Sequence, residues 1–98
     1  MALRYADLPA LPQPMKPIRL TRHAREQAVA RGASEAEVKQ AVRKGAREAA
    51  KHGRELCRYN FAFSQTWQGK PHAIKQVAPV SKEEPNETVV ITVYTFYF

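Results

Sequence analysis

The chain has 98 residues, enough for one modest hydrophobic core and too few for two domains. Sixteen Lys and Arg against nine Asp and Glu leave a net charge of +7, which favours an anionic partner: nucleic acid, a phosphorylated ligand, an acidic protein or an anionic membrane surface. Cys57 is the only cysteine, so neither a disulfide framework nor a Cys-based zinc site can form within one chain, and a reducing compartment is expected.

No N-terminal apolar run suits a signal peptide, and nothing approaches the ~18–20 apolar residues of a membrane span. The expectation is a soluble, cytoplasmic protein without membrane attachment. The charge is uneven. Arg and Lys crowd residues 16–58, while Glu83, Glu84 and Glu87 form a small acidic loop.

Residues 1–17 carry Pro9, Pro12, Pro14 and Pro17. These exclude a helix from about residue 8 and favour extended backbone, so the stretch reads as a Pro-rich arm before a single domain over 18–98. Ile18-Arg19-Leu20 makes a short extended lead-in. Two helices follow, punctuated at both ends. Thr21 is an N-cap candidate for a helix running through His23, Ala24, Gln27 and Ala28 to Arg31, and Gly32 suits the left-handed position after it. Ser34 and Glu37 form a capping box for a second helix that buries Val38, Ala41 and Val42 and stops at Gly45, with Arg43 and Lys44 facing its negative dipole end. His23, Gln27 and Arg31 recur at a spacing of four and share one face.

The tract 46–55, AREAAKHGRE, fits either a short helix ending at Gly53 or a loop. From Leu56 the pattern alternates at period two, with Cys57, Tyr59, Phe61 and Phe63 on one face and Arg58 and Asn60 on the other. Residues 66–71 read as a turn. A weaker strand is expected over about 72–78, with Pro79 ending it or placing it at an edge. Residues 81–87 read as a polar loop, and Thr88 to about Phe96 as the strongest strand, rich in β-branched and aromatic residues and apolar on both faces at its start. That strand is expected at the sheet centre. The order predicts an α+β domain: two N-terminal helices on one face of an antiparallel sheet of three or four strands.

Several of these residues form an ordered set: His23-Ala24 at a helix start, Arg31-Gly32, Ser34 with Glu37-Val38, Gly45, then Arg58-Tyr59 and Val90-Ile91-Thr92-Val93-Tyr94. The set resembles domain-of-unknown-function family 4258 over roughly residues 18–95. That family is similar to RelE- and BrnT-type toxins, whose small α+β fold is shared with barnase-like ribonucleases. Gln27 and Ala33 depart from the family pattern, the tract 46–53 is longer than usual, and the Pro-rich head falls outside it.

The resemblance implies a small toxin-like protein acting on RNA without metal, with RNA and an antitoxin or immunity-type protein as partners. Such chemistry needs an acid/base and cations for the phosphate. His23, in the first turn of a helix, is the catalytic candidate. Arg31, Arg58 and Lys75 are the phosphate-binding candidates, and Thr92 and Tyr94 resemble a cleft-lining pair. Each residue also has a plain structural reading: a packed or capping His, solvated cations, ordinary strand residues. His52 and His72 lack metal spacing, and the chain offers no metal site and no cofactor motif. Cys57 reads as a core thiol. Trp67 and Tyr59 are able to stack on bases, although Trp67 in a turn is the better candidate for covering the core. Two further readings stand beside the ribonuclease: a non-catalytic nucleic-acid- or protein-binding module of the same fold, and a protein that pairs with other chains, its own copies included, through its C-terminal strand.

Overall fold

In the computed structural model, residues 16–98 are described; of the Pro-rich arm only Lys16 and Pro17 fall among them. In chain order the elements are β1 (Ile18–Leu20), α1 (Arg22–Ala30), α2 (Glu35–Lys44), β2 (Ala46–Ala49), a 3₁₀ turn (Lys51–Gly53), β3 (Glu55–Trp67), β4 (Lys70–Glu83) and β5 (Thr88–Tyr97).

The helix boundaries follow from local chemistry. Thr21 accepts the Ala24 amide and starts α1. The helix ends in a Schellman closure: the Ala33 amide donates to the Ala28 carbonyl at 2.8 Å and Gly32 to Val29 at 3.2 Å. Gly32 takes φ +78°, and a Cβ there would lie 2.6 Å from the Tyr97 hydroxyl and 2.8 Å from the Trp67 ring. Ser34 and Glu37 close both hydrogen bonds of the capping box. At the far end of α2, Gly45 lets the chain pass against the Arg58 backbone.

The sheet has five strands in the order β1-β5-β4-β3-β2. Every pairing is antiparallel except β1 with β5, which is parallel. The sheet is therefore mixed and wider than the expected three or four antiparallel strands. The added strands are the two outermost. Ile18–Leu20 pairs with Thr88–Val90. Ala46–Ala49 is neither helix nor loop but pairs with Glu55–Arg58. Its Ala, Arg and Glu are good helix formers, but four residues are too few to hold a helix against a ladder of cross-strand bonds.

The strongest strand is central only at its start. Beyond Val90, β5 has no strand neighbour on the β1 side. The strand at the true centre is β4, longer than expected at both ends. Pro79 neither ends it nor lies at an edge: it is buried in the middle of β4, opposite Val93. The β3–β4 pairs jump from Leu56↔Val80 to Tyr59↔Val77, passing over the place where Pro79 has no amide to donate. The surrounding ladder holds the strand in spite of that gap.

Register sorts the side chains into two faces. Cys57, Tyr59, Val77, Val93 and Tyr97 turn toward the helices, where Leu20, Ala24, Ala28, Val38 and Ala41 complete the core. Arg58, Asn60, Gln76, Ala78, Tyr94 and Phe96 turn away. In β5 the partners shift between Val80↔Thr92 and Ser81↔Val90, leaving Ile91 as an extra residue. That bulge brings Val90 and Val93, three apart, to the same buried face.

Candidate functional site

Arg31 is the cap residue of α1 and reaches across the unpaired edge of β5. Its Nη1 donates to the Val93 carbonyl at 2.7 Å, and its guanidinium carbon lies 5.0 Å from the Tyr94 ring centroid, within cation–π range. The backbone at Arg31 is held equally firmly. Its carbonyl accepts from Thr95 Oγ1 at 3.0 Å and from Tyr97 Oη at 2.6 Å. Burial pushes the Tyr97 phenol up from its ordinary value, and its ring stacks on Trp67 at 4.9 Å. Trp67 therefore covers Tyr97 and Gly32 on the helix face.

Arg58 stands on the face away from the helices. Its Nε donates to Glu48 at 2.7 Å, its Nη1 donates to Gln76 at 3.1 Å, and its guanidinium lies 5.4 Å over the Phe96 ring. Gln76 in turn donates to Asn60 at 2.8 Å. Tyr94 and Phe96 remain 43% and 39% exposed, so each offers a ring to solvent while one side meets an arginine. Ala78 pairs with Tyr94 and is sealed between these side chains.

His23 lies exposed at the start of α1, with Nε2 3.4 Å from Thr92 Oγ1. Thr92 shares its sheet face with Tyr94. His23, Thr92, Arg31 and Tyr94 thus follow one another along the open edge of β5, with Arg58 and Phe96 behind them.

Lys75 is not part of this group. It is buried beneath the helices, where its Nζ donates to Gly32 O at 2.9 Å and to Glu37 Oε1 at 2.8 Å. Burial alone would push the Glu37 carboxyl up, but hydrogen bonds from Lys75 and Ser34 hold it below the usual carboxylate value. Lys75 therefore ties the α1–α2 turn to the sheet. Cys57 is buried on the same helix face, and burial pushes its thiol up although Arg47 lies 3.3 Å away.

Phe96 was not singled out from sequence as a site residue. The signal was available: it stands two positions after Tyr94 and so shares its face. Its partner Arg58 needed the register of three strands. Among the described residues no group of three His, Cys, Asp or Glu side chains gathers to hold a metal ion, and no helix is long and apolar enough to cross a membrane. Comparison with protein-family models, curated proteins and solved structures finds no match.

Proposed function

We propose that this protein is a binding module for single-stranded nucleic acid, RNA in particular, that uses the sheet face carrying Tyr94, Phe96, Arg31 and Arg58. The carrying observation is the alternation of two half-exposed aromatic rings with two arginines fixed against them on one rigid face. Bases stack on such rings whatever their identity, and arginines alongside meet phosphates or stack in turn. Asn60, Gln76 and Thr92 add hydrogen-bonding groups to the same face.

Fluorescence anisotropy with a labelled single-stranded RNA tests this reading. Stacking is worth roughly 1–3 kcal/mol per base, so Tyr94→Ala with Phe96→Ala is expected to weaken binding at least tenfold. Unchanged affinity in that double variant would refute it.

A second reading, a metal-independent ribonuclease of the toxin-like kind, draws support from His23. Its exposed imidazole stands beside Thr92 at the edge of the same face, at a helix N-terminus that favours an anion. RNA cut by the wild type and left intact by His23→Ala would select this reading. RNA bound but uncut by both would retain the binding module alone.

A further inference from the structure

Among the described residues, ion pairing takes up most of the cations and leaves the unpaired ones concentrated in one stretch of the chain. Every glutamate of the described residues has a basic partner within ion-pair distance. The cations without a carboxylate partner among the described residues are Arg31, Arg43, Lys44, Lys51, Arg54 and Lys70. Four of these six fall within residues 43–54, which close α2, form β2 and turn into β3. Arg43, Lys44 and Lys51 are exposed and Arg54 half-buried.

The fold gathers Arg43 and Arg54 around Arg47, while Lys44 follows Arg43 in the chain and Lys51 lies in the turn before Arg54. Arg47 lines two neighbouring hollows, one shared with Arg43 and the other with Arg54. Arg54 has extended backbone and precedes Leu56 and Arg58 at period two, so it continues the line of the sheet face that carries Phe96. Arg54 stands four positions before Arg58, about 13 Å along extended backbone. Arg54 thus continues the aromatic face, while Arg43 and Lys44, at the end of a helix on the other face, stand three and two residues before β2, the edge strand on that side of the sheet.

We propose that Arg43, Lys44, Lys51 and Arg54 bind the sugar–phosphate backbone of the nucleic acid whose bases meet Tyr94 and Phe96, an inference that rests on the binding reading above. Phosphate contacts of this kind position a strand without reading its sequence. They also release counterions, so log K falls with log salt by about 0.7 for each phosphate neutralised on a single strand.

The test is a salt titration of binding to a labelled single-stranded RNA of fixed length, with folding of each variant checked by circular dichroism. Changing Arg43, Lys44, Lys51 and Arg54 together to Gln is expected to reduce the slope by about 3. Changing Arg22, Arg25, Lys39 and Lys82 to Gln gives the same net charge from cations already paired, and should leave the slope within about 1 of wild type. Tyr94→Ala with Phe96→Ala should lower affinity at all salt concentrations and keep the slope. Equal slope losses in the two quadruple variants, or none in the first, overturn the inference even if RNA binds. Should the first quadruple variant lose its slope while the aromatic variant binds normally, the phosphate surface stands and the stacking reading fails. A wild type that binds no RNA overturns both.

Discussion

Arg31 Nη1 donates to the Val93 carbonyl at 2.7 Å and so occupies a backbone group that another strand would use. β1 pairs with β5 only as far as Leu20↔Val90. Beyond that point β5 has an open side, and an open strand edge is a template for pairing with another chain. The Thr21 hydroxyl meets the Ile91 carbonyl in the same way, at 3.3 Å. The edge is therefore held by side chains from α1 and its cap.

Replacing Arg31 by Met keeps the length and removes the donors. A hydrogen bond to a charged group contributes roughly 1.5–3 kcal/mol, and a loss of about 1–2 kcal/mol is expected in urea unfolding. Light scattering across a range of concentrations should show a higher mean mass for the variant than for wild type. Identical masses throughout would show that Arg31 does not guard the edge.

Gly45→Ala is expected to be costly. The new Cβ would lie 2.5 Å from the Ala41 carbonyl oxygen and 2.8 Å from that of Arg58, both backbone atoms. Relieving that overlap must separate α2 from β3, at roughly 1–3 kcal/mol. For a chain of this size the melting temperature should drop by about 5–15 °C. Gly53→Ala is the comparison: nothing lies within 4 Å of its Cβ and only its φ of +71° is strained, so its loss should be smaller.

Stability should fall in acid. Burial works against ionised Glu37, yet hydrogen bonds from Lys75 and Ser34 leave its carboxyl below the ordinary value of 4.5. The bond from Lys16 does the same for Glu83, and that from Arg19 for Glu87. A carboxyl depressed in the folded state contributes stability that is complete above its unfolded value and lost as pH falls through its folded one. Melting temperature should be level from about pH 6 to 5 and decline below about 4.5. Glu37→Gln should flatten that decline in a pH series of thermal melts, and an unaltered slope would assign the loss to other groups.

Lys75→Met separates structure from binding. It removes the buried ammonium that ties Gly32 and Glu37 to the sheet, and about 1–3 kcal/mol of stability should go with it. RNA affinity at a temperature where the variant is folded should stay within about twofold, because the side chain lies on the opposite face from Tyr94. Arg58→Gln should show the reverse pattern, with a clear loss of affinity and a smaller loss of stability. Equal effects of the two on binding would contradict the separation of the faces.

The helical half was legible because its signals are local. As caps, Thr21, Gly32, Ser34, Glu37 and Gly45 act on backbone groups within four residues of themselves, so that part of their role does not depend on the rest of the fold. The alternation of Cys57, Tyr59 and Phe61 against Arg58 and Asn60 was legible for the same reason. Pro79 was misleading because its penalty is also local, whereas its tolerance comes from the ladder on either side of it. Residues 46–49 carry no strand signal of their own; their conformation is set by β3.

Composition, caps and period-two alternation together determined an α+β chain with two punctuated helices, an aromatic strand face and an excess of positive charge. Which cations act together was decided only by tertiary structure. Arg58 and Lys75 look equivalent along the chain, but β3 and β4 pair so that even positions of one lie opposite even positions of the other. One is thereby sent to the open face and the other beneath the helices. Register is a long-range property, and a shift of β3 by one residue would turn Arg58 to the same face as Lys75.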